Sequence, residues 1–158
     1  LDVLATGTLF AFQECIPVMR DQGGGVLLAT SSAHFGDYGA MTHPSVIPAY
    51  GSGKAAVELL VRTTARLHSR DGIRVNAVQP GFTITEGVLE RFLPAAGIDI
   101  DTMMSRLGTE GMPMGPGQPE DVAEGFLFLA SDLASYVTGY SLPVDGGSLI
   151  TGFGKLLP

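Results

Sequence analysis

Short apolar runs set between long amphipathic stretches constrain this chain more than any other feature. Val26-Leu27-Leu28-Ala29 is almost wholly apolar, and Ile73–Val78 and Ser141–Asp145 are similarly short. Runs of that kind suit strands covered on both faces, as in parallel sheets. Between them lie helix-like patterns. Leu4, Leu9, Phe12, Ile16 and Met19 recur at three- to four-residue spacing in the first segment, Leu1–Met19. Ala49–Ser69 carries Ala56, Leu59, Leu60, Thr63 and Leu67 on one broad face. Pro119-Glu120-Asp121 opens a further helix to about Ala130, with acidic residues in its first turn. Asp21-Gln22-Gly23-Gly24-Gly25 and Asp71-Gly72 end the first two helices. Helix alternating with strand in this way predicts a parallel α/β sheet.

The chain's 158 residues suit one domain. Hydrophobic residues make up 45% and charged residues 16%, which argues against disorder. A net charge of -7 speaks against phosphate-backbone binding, so no nucleic-acid partner is expected. The excess is spread along the chain and favours solubility. Cys15 is the single cysteine, so no intrachain disulfide forms, and no Cys/His spacing suits zinc. No apolar run reaches the roughly 18 residues that span a bilayer, and no signal peptide is visible. These features predict a cytoplasmic protein with no membrane partner. The chain opens on Leu1, inside a helix-like segment without a cap, as a portion of a longer protein would.

Tyr50-Gly51-Ser52-Gly53-Lys54 is the sharpest local feature. Side chains four apart on a helix share a face. An ammonium beside a phenol favours the phenolate, which suits a general acid or base near neutral pH. Alone, such a pair is most often a surface contact. Here a strand runs into Ser31-Ser32 just ahead of it, and strand ends of α/β sheets bind ligands. Either serine could instead close a turn or cap a helix. A further strand ends in Pro80-Gly81, with Thr85 offering a hydroxyl at the same edge. Residues 82–118 read as irregular, with short helices at Gly87–Leu93 and Asp101–Leu107. So long an excursion marks residues 84–117 as a substrate lid. Met103, Met104, Met112 and Met114, with Phe92 and Leu93, would line it, or simply pack beneath a loop. Crowding in sequence and the lack of a G-x-S-x-G elbow weigh against a Ser32/His34/Asp37 hydrolase triad. His34 or His43 is better placed as a substrate contact.

These motifs, in this order, resemble the C-terminal two-thirds of a short-chain dehydrogenase/reductase. Asp2-Val3 with Thr6-Gly7-Thr8 is similar to that family's central helix. Val26–Ser32 is similar to its serine strand and Tyr50-x-x-x-Lys54 to its catalytic helix. Gly72-Ile73-Arg74-Val75-Asn76 with Pro80-Gly81 is similar to the strand and turn after that helix. Pro119–Ala123, Phe128–Asp132, Thr138-Gly139 and Val144-Asp145-Gly146-Gly147 resemble its C-terminal signature. The resemblance implies the C-terminal part of a Rossmann-like, doubly wound parallel sheet in a three-layer α/β/α fold. It implies an NAD- or NADP-dependent oxidoreductase that interconverts an alcohol and a ketone. Tyr50 would exchange the proton. Lys54 would assist it and hold the nicotinamide ribose, and Ser32 would hold the substrate oxygen. Ser32 is preferred to Ser31 as the second serine after the strand, although its spacing to Tyr50 is longer than the family's. Pro80, Gly81, Thr83 and Thr85 would surround the nicotinamide, with the threonines reaching its carboxamide or the pyrophosphate.

Two features depart from the family. Leu4 stands where the family has an Asn that anchors a relay water. The glycine-rich phosphate turn and the Asn-Asn-Ala-Gly-like stretch are absent. Gly23-Gly24-Gly25 and the glycines of 111–117 are loop residues that do not replace them. The 158 residues thus read as a single-domain fragment of a protein of roughly 250 residues. An inactive binding or assembly protein, and a non-redox epimerase or dehydratase, are the rival readings. The resemblance also implies a homodimer or homotetramer built on the Leu1–Met19 and Ala49–Ser69 helices. Val57 and Val61 are expected on the helix face left over for that contact, and apolar Leu149–Pro158 could seal another.

Overall fold

The structure, a computed structural model, describes residues 2–33, 48–95, 97–111 and 113–151. A π-helical turn, Asp2–Thr6, leads into α1, Gly7–Asp21. The chain then runs through β1 (Gly25–Thr30), α2 (Pro48–His68) and β2 (Ile73–Pro80). A second π-helical turn, Val88–Phe92, continues into the short α3, Leu93–Ala95. α4 (Ile100–Gly111), α5 (Pro119–Ala130), β3 (Ser141–Val144) and the single turn α6 (Ser148–Thr151) complete it.

The strands form a parallel sheet in the order β1-β2-β3. Gly25 pairs with Ile73 and Thr30 with Val78, so β1 and β2 leave the sheet at the same edge. Ala77 pairs with Ser141 and Pro80 with Val144. Alternation sorts the side chains into two layers. Ile73, Val75 and Ala77 of β2, with Leu27 and Ala29 of β1, meet Val57, Val61 and Ala65 of α2 and Phe12 of α1. On the opposite face Val78, Leu28, Leu142 and Val144 meet Leu129 of α5 and Ala134. The expected α/β/α layering, with helices on both faces of a parallel sheet, is what the chain builds.

Helix ends follow their local chemistry. Gly24 donates to Met19 O at 2.8 Å and Gly25 to Gly72 O at 3.2 Å, so these glycines close α1 and start β1. At α5, Gln118 N–H donates to Asp121 Oδ2 at 2.7 Å, ahead of Pro119 in the first turn. Arg74 of β2 holds the far end of α5, donating to Leu129 O at 2.8 Å and Ser131 O at 3.2 Å. Asn76 donates to Val137 O at 2.9 Å and accepts from Tyr140 N at 3.0 Å, fixing the approach to β3.

Helix α2 differs from expectation in phase. Its extent is nearly as expected, but Lys54, Val57, Glu58, Val61, Thr64 and Ala65 face inward, and Leu59, Thr63 and Leu67 face outward. Val57 and Val61 are 1% and 0% exposed, so they cannot serve a contact between copies; Leu59 and Leu67 occupy the outer face. Compact β-branched side chains let a helix sit close to a flat sheet, and that packing sets the phase here. The 82–118 region is also more ordered than expected. α4 starts behind Asp99, whose carboxylate accepts from Thr102 N at 2.7 Å, and extends past the predicted Leu107. The Thr102 hydrogen bond holds the Asp99 carboxyl below its ordinary range.

Candidate active site

The site forms where β1 and β2 end beneath the first turns of α2. Tyr50 and Lys54 share one stripe of that helix, with Lys54 Nζ 5.6 Å from the Tyr50 ring centroid. Tyr50 is partly exposed, whereas Lys54 is 8% exposed. The lysine head reaches the end of β1 and donates to Thr30 O at 2.7 Å. Burial pushes its amine below the ordinary lysine value, because a charged head costs more out of water. That single bond joins α2 to the residue just before Ser31-Ser32, and both serines are buried. The hydroxyl of Ser31 has no hydrogen-bond partner among the described residues.

β2 contributes the other wall. Gly81 follows Pro80 and donates to Val144 O at 2.9 Å, which draws the turn against the end of β3. A Cβ at Gly81 would lie 2.6 Å from Asp145 Cα, so only glycine allows this approach. Asp145 in turn accepts from Gly147 N, Ser148 Oγ and Leu149 N, and so fixes the start of α6. Thr83 donates to Gly81 O at 3.2 Å, and Thr85 Oγ1 accepts from Val88 N at 3.2 Å. Both threonine hydroxyls therefore already shape the backbone that leaves the sheet. Thr83 also bridges Gly117, with Gly117 donating to Phe82 O and Ile84 to Gly117 O at 2.9 Å each. This pairing pins both ends of the 84–117 excursion at the site.

Ser32, Tyr50, Lys54, Pro80, Gly81, Thr83 and Thr85 thus gather at one edge of the sheet. His34, Asp37 and His43 lie outside the described residues. Leu4 sits in the leading π-helical turn and packs on α2; a Cβ at Gly53 would lie 2.8 Å from its Cδ1. Its apolar side chain fills the space at Gly53, the residue before Lys54. Sequence reasoning missed Glu58, one turn beyond Lys54. It is 7% exposed and accepts from Gln79 Nε2 at 3.1 Å and from Ser141 Oγ. Its only signal in the sequence was a carboxylate four residues past Lys54, on the same helical stripe. A cleft of about 670 Å³ lies at the opposite, amino-terminal edge, lined by Gly25, Gly72, Arg74, Asp132 and Tyr136. It is remote from Tyr50, and its Arg74 is committed to α5. No described helix is long and apolar enough to cross a membrane, and no acidic, histidine or cysteine cluster among the described residues suits a metal.

Comparison with known proteins points to one family. The family described as Enoyl-(Acyl carrier protein) reductase matches residues 1–148. A 3alpha-hydroxysteroid dehydrogenase of Mediterraneibacter gnavus is 44% identical over 148 residues, covering 94% of this chain and 54% of the relative. A short-chain type dehydrogenase/reductase from Mycobacterium ulcerans superposes with a TM-score of 0.80 at 30% identity, over 96% of this chain and 51% of that one. A 7 alpha-hydroxysteroid dehydrogenase complexed with NADH and 7-oxo glycochenodeoxycholic acid gives 0.72 at 33% identity, over 91% and 52%. The chain spans about half the length of these proteins.

Proposed function

The chain belongs to the short-chain dehydrogenase/reductase family, and from that premise we propose that it carries the acid/base half of an NAD- or NADP-dependent oxidoreductase acting on a secondary alcohol and its ketone. The observation that supports the reading is the Lys54 bond to Thr30 O, because it brings a lysine head 5.6 Å from the Tyr50 ring to the carbonyl that precedes the serines. An ammonium has three donors, and one is engaged by Thr30. The remaining two suit ribose hydroxyls, so the donor set fits a nicotinamide riboside beside Pro80, Gly81, Thr83 and Thr85. When bound, the nicotinamide supplies or accepts the hydride.

The protein's own residues handle the proton. In the reductive direction Tyr50 donates its phenolic proton to the substrate oxygen. The nearby Lys54 ammonium stabilises the negative charge left on the phenol oxygen. Ser32 donates a hydrogen bond to the same substrate oxygen and holds it in reach. In the oxidative direction the tyrosine takes the proton back. Residues 84–117 act as the lid, hinged on the Thr83–Gly117 bridge, with Phe92, Met103 and Met114 offering apolar surface. Two of the named proteins are hydroxysteroid dehydrogenases, which supports a rigid, apolar ring alcohol as the substrate class. Leu59 and Leu67 on α2, with Phe10 and Val18 on α1, are the exposed surface that a homodimer or homotetramer would cover.

The test is oxidation of NADH or NADPH by the complete protein with a 3-oxosteroid. The wild type should consume reduced cofactor in step with alcohol formed. Cofactor binding without consumption, for any ring ketone, would instead favour the inactive binding protein. Isomerised or dehydrated product without consumption would favour the non-redox reading.

A further inference from the structure

We propose that Glu58 is a positioning residue that fixes the distance between the Tyr50/Lys54 stripe and the Pro80-Gly81 turn. The proposal rests on the oxidoreductase reading and deepens it. Its basis is a buried carboxylate whose two oxygens are each matched to a donor. Oε1 accepts from Gln79 Nε2 and Oε2 from Ser141 Oγ. Gln79 directly precedes Pro80, and Ser141 opens β3 opposite Ala77. One side chain on α2 thereby holds both strands that frame the proposed nicotinamide site.

Much of the rest of the buried α2 face is apolar. Val57, Val61 and Ala65 lie on Ile73, Val75 and Ala77, all small or β-branched. Such a surface resists separation better than it resists sliding, because the hydrophobic effect is non-directional. Hydrogen bonds are directional and set register. α2 makes two such ties on one stripe, a turn apart: Lys54 to β1, and Glu58 to β2 and β3. A buried carboxylate is a poor source of net stability compared with a well-packed apolar side chain. What it supplies here is a defined geometry. Both Glu58 oxygens are engaged by protein donors, so it acts through the elements it ties.

The experiment compares Glu58→Ala, Glu58→Gln, Gln79→Ala and, as a control on the same helix, Val61→Ala in the complete protein. Two readouts are taken: turnover of NADH with a 3-oxosteroid, and amide hydrogen exchange. Glu58→Ala should cut kcat by roughly 10- to 100-fold, the scale of a small misplacement of reacting groups, with NADH affinity little changed. Glu58→Gln keeps a carbonyl acceptor for Gln79 and presents its NH2 to Ser141, whose hydroxyl turns to accept in place of donating, and it should restore most of that loss. Gln79→Ala should act in the same direction as Glu58→Ala, and adding it to Glu58→Ala should cost little more. Val61→Ala should lower Tm yet leave kcat near wild type.

Exchange tests the tie without any turnover. The Gly81 amide, bonded to Val144 O, should exchange about tenfold faster in Glu58→Ala, while the Val75 amide at the far end of β2 stays near wild type. If Glu58→Ala does not fold, Gln79→Ala carries the same two readouts. Equal kcat loss in Glu58→Ala and Val61→Ala at matched Tm overturns the proposal. So does unchanged exchange at Gly81, or a Gln variant as impaired as the Ala variant. Undiminished turnover in Tyr50→Phe would overturn the oxidoreductase mechanism, and exchange at Gly81 would still decide the tie.

Discussion

Helix α2 and the 84–117 excursion border the same edge of the sheet, and they are held in opposite ways. α2 buries an apolar row against β2 and adds polar ties to all three strands. The excursion is joined at its base by the Thr83–Gly117 bridge and buries Leu93, while Leu89, Phe92 and Met114 stand exposed. On the proposed function the two would do different work. Groups that must meet a reacting atom within a fraction of an ångström belong on a rigid element, and groups that admit and enclose a substrate belong on one that can move.

The largest expected effect breaks the chemistry on the rigid side alone. Tyr50→Phe should lower kcat by roughly 10²- to 10⁴-fold with cofactor affinity retained, as measured by steady-state kinetics and nicotinamide fluorescence. Hydrogen exchange sharpens the contrast next. Amides of α4 should exchange roughly 100-fold faster than those in the middle of α2 in the free protein, and should slow when cofactor and ketone are added together. Equal protection in the two helices would remove the lid.

Stability should divide along the same line. Val61→Ala in α2 should cost about 2 kcal/mol in denaturant unfolding, for lost burial plus the space left behind. Met114→Ala, on an 85% exposed side chain, should stay within about 0.5 kcal/mol. Lys54 gives a pH dependence to the rigid side. Burial lowers its pKa below the ordinary 10.5, so the folded protein sheds this proton before the unfolded chain does. Below the folded value both states are charged, and the full cost of burying the ammonium is present. As pH rises from there towards 10.5 the cost is relieved, and stability gains. Lys54→Met should therefore be more stable than wild type at neutral pH, with the difference shrinking towards pH 10.5. A difference that grows with pH would contradict this sign.

Much of the rigid region was legible because its punctuation is local. Gly23-Gly24, Gly72, Pro80-Gly81 and Pro119 mark ends through backbone chemistry that a few residues determine. The phase of α2 was not legible, because apolar residues ring the helix and no single face stands out. Only the flat surface of β2 selects Val57, Val61 and Ala65 over Leu59 and Leu67. The Glu58 network was hidden for a related reason. Its donors, Gln79 and Ser141, lie 21 and 83 residues away in sequence, and only the β2-β3 pairing unites them. At the site, the Tyr50/Lys54 stripe was legible from helical spacing, whereas the Thr30 carbonyl that receives Lys54 leaves no mark in side-chain identity. Leu4 could be read as a departure from a family pattern; that it packs on Gly53 required the fold.

The most direct measurement follows the hydride while perturbing the proton. The complete protein is given NADH deuterated at nicotinamide C4 and a 3-oxosteroid, and the product alcohol is analysed by mass spectrometry. Deuterium is predicted on the carbinol carbon for the wild type, and the same labelled product from Tyr50→Phe at a rate lower by roughly 10²- to 10⁴-fold. Unlabelled product, or labelled product formed equally fast by both proteins, would contradict this mechanism.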